Sequence, residues 1–391
     1  MTRDAGSREG ATEMDVETEF TPRGSAAVVS LHFSPAHASH MIAYGRMLRE
    51  LGYRVSFVLD EKYLSFAGFS KIGDAIAAGD YARVRRRFDL ALFYNSAAQN
   101  RALAGRMRAH GTSVVYIFHE PESIWNLASE GWRQIVRFPF STYCSVAMLR
   151  IASGVLVPSA YARSLYERYY LRHNPAVFTM PLVFEDEIAS TALDEARRNK
   201  RFFGFIGSVS KGHGIDEFLS FAKYAIRNGS TIPFVLATRR NMGRWLARDE
   251  ELSGYAGEGK ILLHHGRVLP NDEINRWYLD SFCVWNVYRR STQSGVLPRA
   301  FMAGTPVLVR RIGSFPEYVR EGETGEFVES GHDAEALLRA AERIRGRCGG
   351  YVDPCRETFL RTFHYKANSA RLAEILDQVQ TQGEARLQLA H

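Results

Sequence analysis

Short apolar runs alternate along this chain with stretches whose apolar residues recur every three or four positions. The run AAVVSLHF, residues 26–33, predicts a strand; after the loop SPAHASH, the segment MIAYGRMLRELGY has helical spacing and RVSFVL, 54–59, predicts a second strand. The order continues with FDLALFYN (88–95), a helix around Ala98 to His110, SVVYIFHE (113–120), and IASGVLVPS (151–159) ahead of AYARSLYERYY. It restarts at RFFGFIGSVS (201–210). A helix from about Asp216 to Asn228, strands IPFVLAT (232–238) and ILLHHGRV (261–268), and a helix from about Asn271 to Asp280 then lead to FCVWNVY, TPVLVR and GEFVES. Such alternation predicts an α/β protein whose parallel sheets are covered by helices on both faces. The restart predicts two Rossmann-like units joined near Phe184 to Lys200, and the last 30 residues or so read as a helix that closes the chain.

With 391 residues, each unit can bury its own core. The boundaries expected are a flexible tail at 1–23, a first domain at 24–184, a second at 185–365 and a terminal helix with its tail at 366–391. Composition, 46% hydrophobic and 24% charged, excludes a disordered or fibrous chain, and no apolar run is long enough to span a bilayer. The tail lacks a signal-peptide pattern, and Cys144, Cys283, Cys348 and Cys355 show neither a disulfide framework nor metal-ligand spacing. A cytoplasmic protein without a metal is the expectation.

Charge changes this picture in one respect. Residues 24–184 hold 18 Lys and Arg against 10 Asp and Glu, with Arg83, Arg85, Arg86 and Arg87 as the densest cluster. That half either faces something anionic or is simply solvated. The aromatic and basic segment WNLASEGWRQIVRFPF suits an anionic membrane surface, on the inner face of the plasma membrane. No nucleic-acid recognition module accompanies the basic residues.

Ligands of open parallel sheets bind beyond the carboxyl ends of the strands, so the loops there are the candidates for chemistry. GFIGSVSKGHGID carries Gly207, Ser208, Lys211 and His213 from a strand into a helix, and STQSGVLPRAFMAGTPVL repeats the arrangement with Ser294, Gly295 and Val296. Backbone amides at such turns favour a phosphate, while the alternative readings are a structural turn and a helix cap by Ser294. Glu317 in GSFPEYV either offsets a helix dipole or serves as a ligand. In the first half, Ser34, His37 and His40 follow one strand and His119 and Glu120 end another, which suggests a polar pocket.

Residues 201–328 resemble the GT-B glycosyltransferases, in particular the large retaining family that includes many bacterial envelope polysaccharide enzymes. FIGSVSKGHGIDEFL is similar to that family's glycine-ended strand and Lys-Gly turn, with either Lys211-Gly212 or His213-Gly214 in the Lys-Gly place. HHGRVLPNDEI, with Arg267, resembles its Gly-x-Val turn, and SGVLPRAFMAGTPVLVRRIGSFPEYVREGETGEFV its donor loop, Gly-x-Pro-Val turn and terminal glycine. The resemblance implies a GT-B fold, two domains facing across a cleft, the first binding an acceptor and the second a nucleotide sugar. It implies catalytic roles for His119, Lys211 and Glu317, donor contacts from Gly207, Ser208, Lys211, His213, Arg267, Ser294, Gly295, Val296 and Arg299, and acceptor contacts from Ser34, His37, His40 and Glu120.

Many members carry two glutamates with seven residues between them across the donor loop. Here those places fall on Ser291 and Arg299, and no acid lies between Ser291 and Val309. Altered donor recognition, a slipped register or lost catalysis would each account for this. The resemblance implies a UDP- or GDP-linked donor used as substrate, no cofactor, a glycan or lipid-linked acceptor, and a hexosyltransferase-like role in envelope or exopolysaccharide biosynthesis. An inactive GT-B scaffold that binds a nucleotide, sugar or partner protein is the rival, and a nucleotide-sugar epimerase a weaker third.

Overall fold

A computed structural model describes residues 23–66, 68–84, 87–121 and 132–388. Residues 1–22 of the expected tail, Arg85 and Arg86 of the basic cluster, and 125–131 of the aromatic segment lie outside the described residues. Among the described residues the first sheet has seven parallel strands: β1 (Gly24–Ser30), β2 (Tyr53–Leu59), β3 (Asp74–Ala77), β4 (Leu90–Phe93), β5 (Ser113–Ile117), β6 (Gly154–Val157) and β7 (Val177–Thr179), in spatial order β3-β2-β1-β4-β5-β6-β7. The second has six: β8 (Phe202–Ile206), β9 (Phe234–Ala237), β10 (Ile261–His264), β11 (Ser281–Asn286), β12 (Val307–Arg310) and β13 (Gly325–Val328), in order β10-β9-β8-β11-β12-β13, again all parallel.

Central strands such as FFGFI and SFCVWN are buried along their whole length, as parallel strands covered on both faces must be. Edge strands β3 and β7, DAIA and VFT, are too short to register as apolar runs, and the sequence reading passes over them. The long helix Trp132–Ile151 contains Pro139, whose presence hides its helical pattern.

In each sheet the strand order reverses beside the first strand, at β1/β4 and at β8/β11. The crevices this creates are where such sheets bind ligands. The two domains are joined twice: Phe184 donates its N–H to Phe363 O at 2.9 Å, and Tyr365 returns one to Phe184 O at 3.0 Å. Beyond that crossing the helix Tyr365–Gln388 leaves the second domain. Its Tyr365, Leu372, Ile375, Leu376 and Val379 join the core of the first, on the face lined by Val28, Phe57 and Leu92.

Candidate active site

The first domain contributes a cluster of rings. Pro35–His37 forms one turn of 3-10 helix after β1 and runs into the helix Ala38–Glu50, which sets His37 and His40 one turn apart. His119 follows β5 and Tyr94 follows β4, so neighbouring strand ends converge on one spot. The Tyr94 ring lies 4.5 Å from His119 and 5.1 Å from His37, and the two imidazoles stack at 5.6 Å. His40 Nδ1 hydrogen-bonds Val183 O at 3.1 Å, and its ring meets the edge of Phe184 at 4.2 Å.

Burial holds all three histidines neutral. It pushes His37 down to about 4, helped by the charges of His32 and Arg239, and His40 down to about 3, helped by His37. His119 is pushed well below the usual imidazole range by burial first and then by its two neighbours. Among the described residues, Nδ1 of His37, both ring nitrogens of His119 and the Tyr94 hydroxyl are buried without a hydrogen-bond partner of normal geometry. Unpaired buried polar atoms are costly, so four in one cluster make it a candidate site for a polar ligand.

The second domain faces this cluster with two loops. After β8, Gly207 takes φ 125°, a conformation open mainly to glycine, and a Cβ there would stand 3.2 Å from Val296 Cγ2, so the two loops touch. Gly295 adjoins the first domain, since its Cβ would lie 3.8 Å from His40 Nε2. Behind the loops, Arg289 pairs with Asp216 at 2.7 Å and buried Glu217 at 3.0 Å, and its N–H donates to Gly212 O at 2.9 Å. The Trp285 indole holds His213 O at 3.1 Å, which fixes the first loop against β11.

The sequence model of the family Glycosyl transferases group 1 matches residues 200–345. The chain carries a group 1 glycosyltransferase domain. Solved structures extend the likeness to the whole fold. HepE of Anabaena in complex with UDP-glucose superposes with TM-score 0.70 at 12% identity, over 91% of this chain and 100% of that one. Sucrose-phosphate synthase of Thermosynechococcus elongatus gives 0.67 at 14%, over 92% and 100%, and a glycosyltransferase of Rickettsia africae 0.65 at 11%, over 91% and 98%. No curated protein sequence matches the chain. The fold is the GT-B architecture expected from the sequence, and the second domain is similar to group 1 glycosyltransferases.

Within this fold the predicted residues divide into three groups. His37, His40, His119, Gly207, Gly295 and Val296 come together at the cleft. Lys211 is exposed on the turn before the helix Ile215–Arg227, and Glu120, also exposed, places its charge near Arg290. A second group is committed locally. The Gly207 N–H donates to Ala237 O at 2.9 Å, so it serves the sheet and is not offered to an anion. His213 Nδ1 bonds Ser208 O at 2.7 Å, and Ser294 Oγ accepts from Leu297 N at 3.4 Å, the helix-cap alternative. Arg267 pairs with Glu273 at 2.6 Å, and the Ser34 backbone is held by the Tyr63 hydroxyl at 2.8 and 2.9 Å.

The third group turns toward the domain boundary. Glu317 accepts N–H groups of Ala160 and Tyr161 in the first domain, at 2.8 and 2.7 Å, so its carboxylate caps the helix Ala160–Tyr169 and is not free to act in the cleft. Arg299 bonds Ser39 Oγ at 2.6 Å and Asn275 Oδ1 at 3.1 Å, a position at the hinge that its expected donor contact does not describe. Sequence reasoning missed Tyr94, Gln293, whose buried Oε1 has no partner among the described residues, Arg239, whose charge acts on His37, and Arg290, near Glu120. The two arginines follow β9 and β11, the strands that flank β8, and the doublets TRRN and YRRS at those strand ends are the signal that could have found them.

Proposed function

We propose that the protein transfers a glycosyl unit from a UDP- or GDP-linked donor to an acceptor hydroxyl, with retention, in envelope or exopolysaccharide biosynthesis. The observation that carries this reading is the set of buried unpartnered atoms on His37, His119 and Tyr94, which faces the two glycine loops of the group 1 domain. A sugar presents hydroxyls of both donor and acceptor character, which suits neutral imidazoles and a phenol better than an ion would. The anomeric carbon loses its bond to the diphosphate as the acceptor oxygen attacks from the same face. Lys211 and the free amides of the loops are suited to the charge that develops on the leaving diphosphate, and His119 to orienting the sugar. HepE was solved with UDP-glucose, which supports a uridine donor.

A peripheral, cytoplasmic placement belongs to the same proposal. Among the described residues no helix is long and apolar enough to cross a membrane. On the helix Trp132–Ile151, Val136, Phe140 and Tyr143 are 67%, 68% and 60% exposed and recur on one face, a pattern that supports contact with an anionic bilayer carrying a lipid-linked acceptor. The absence of acids at Ser291 and Arg299 favours the second reading, an inactive scaffold.

Thermal shifts with UDP, GDP and their sugars test the reading. Stabilisation by a nucleoside diphosphate that Lys211→Ala or Ser294→Trp weakens supports the site, and sugar transfer to an acceptor supports the enzyme. Binding without turnover under every acceptor favours the scaffold. Indifference to all nucleotides overturns the donor site, and with it the transferase.

A further inference from the structure

Arg299 stands where many members of the resembling family carry their second glutamate, and its surroundings explain why an acid cannot stand there. It lies on the helix Val296–Met302, one turn beyond Gly295, and its side chain is 13% exposed. Nη2 donates to Ser39 Oγ at 2.6 Å and to Asn271 Oδ1 at 3.4 Å; Nη1 donates to Asn275 Oδ1 at 3.1 Å and lies 3.6 Å from Glu187 Oε2. The guanidinium also covers the Phe184 ring at 5.8 Å.

These partners belong to four different parts of the molecule. Ser39 is on the first-domain helix Ala38–Glu50, Glu187 in the linker, Asn271 and Asn275 on the second-domain helix Asn271–Asp280, and Phe184 at the crossing where the chain pairs with His364. The amides of the two asparagines serve the same cluster, Asn275 Nδ2 to Glu187 at 2.9 Å and Asn271 Nδ2 to Ser39 Oγ at 3.3 Å. A planar fork with five donors satisfies all the acceptors at once, whereas a carboxylate in its place would meet the Glu187 carboxylate in a mostly dry site. Ser39 is followed in sequence by His40, whose Nε2 adjoins Gly295.

We infer that Arg299 is a positioning residue that pins the two domains in the arrangement described above, with Glu187 as its counter-ion, and that it makes no contact with the donor. By holding Ser39 against the donor-loop helix, it fixes the spacing between the histidine cluster and Gly295. The catalytic consequence rests on the proposed glycosyl transfer; the pinning itself does not.

The test compares Arg299→Ala, Arg299→Lys, Arg299→Glu, Ser39→Ala and the double variant Arg299→Glu with Glu187→Arg in the full chain. Small-angle scattering without ligand reads domain closure, UDP titration reads nucleotide binding, and steady-state kinetics separate kcat from KM. Arg299→Ala and Arg299→Glu are expected to enlarge the radius of gyration and lower kcat by roughly tenfold or more, while UDP affinity stays within about threefold. Arg299→Lys and the charge-reversed double variant are expected to recover part of the closure, and Ser39→Ala to reproduce part of the opening from the other domain. Arg299→Glu that stays compact and binds UDP more tightly overturns the inference, because it would restore a donor contact. Unchanged scattering in both Arg299→Ala and Ser39→Ala overturns it as well. If the wild type neither binds nor turns over any nucleotide sugar, the donor reading fails and the scattering series still decides the pin.

Discussion

The carboxylate of Glu317, in the second domain, accepts the N–H groups of Ala160 and Tyr161 at the start of a first-domain helix, at 2.8 and 2.7 Å. Two further bonds flank it, Ser159 Oγ to Thr292 O at 2.8 Å and Tyr318 Oη to Pro158 O at 2.9 Å. The first residues of a helix leave N–H groups unpaired and carry partial positive charge, so an anion from the other domain is a fitting latch. Glu317→Ala is expected to destabilise the closed form by about 1–2 kcal/mol, the worth of a charge-assisted hydrogen bond at an exposed site. Scattering and kcat both read this change, and a variant equal to wild type in both removes the latch.

Acid is expected to weaken the fold through the histidine cluster. His37 binds its proton near pH 4 when folded, against about 6.5 for a free imidazole, so between these values the unfolded chain holds more protons. Stability is then complete above pH 6.5 and lost as the pH falls toward 4, on the order of 3 kcal/mol for His37 alone. Denaturant midpoints from pH 7 to 4.5 measure the slope. His37→Asn should flatten it, and an unchanged slope rules His37 out as its source.

Glu217 is 2% exposed and holds Arg289 at 3.0 Å and His332 at 3.1 Å. Arg289→Ala leaves that carboxylate buried beside one exposed imidazole and should cost about 3 kcal/mol, in the range for breaking a buried pair. Because the Arg289 guanidinium also holds Asp216 at 2.7 Å, at the start of the helix that follows the first glycine loop, nucleotide affinity is expected to fall with stability. Urea unfolding together with UDP titration checks both; loss of neither contradicts the anchoring role.

Gly313 has φ 55°, and a Cβ built on it would come within 1.8 Å of Ser291 O. Ser314 N donates to that same oxygen at 3.1 Å, so the turn after β12 supports the donor loop from behind. Gly313→Ala must displace one of the two. A fall in donor affinity larger than the change in melting temperature is expected, and unaltered affinity would show that the loop is held elsewhere.

The sequence by itself determined the alternation of strands and helices, the two-domain division and the loops at the carboxyl ends of β8 and β11, because apolar periodicity and glycine placement are local properties of the chain. It also fixed the absence of any acid from Ser291 to Val309. Tertiary structure decided what the polar residues do. Glu317 and Arg299 carry no local mark of their partners, which lie 157 and 260 residues away at Ala160 and Ser39. Lys200 is another case: it reads as a linker lysine, yet burial lowers it to about 8 and its ammonium holds the Leu279, Ser281 and Ala303 carbonyls and the Thr305 hydroxyl. Hydrogen bonds between distant side chains depend on how two domains close upon each other, and that closure leaves no periodic trace in the sequence.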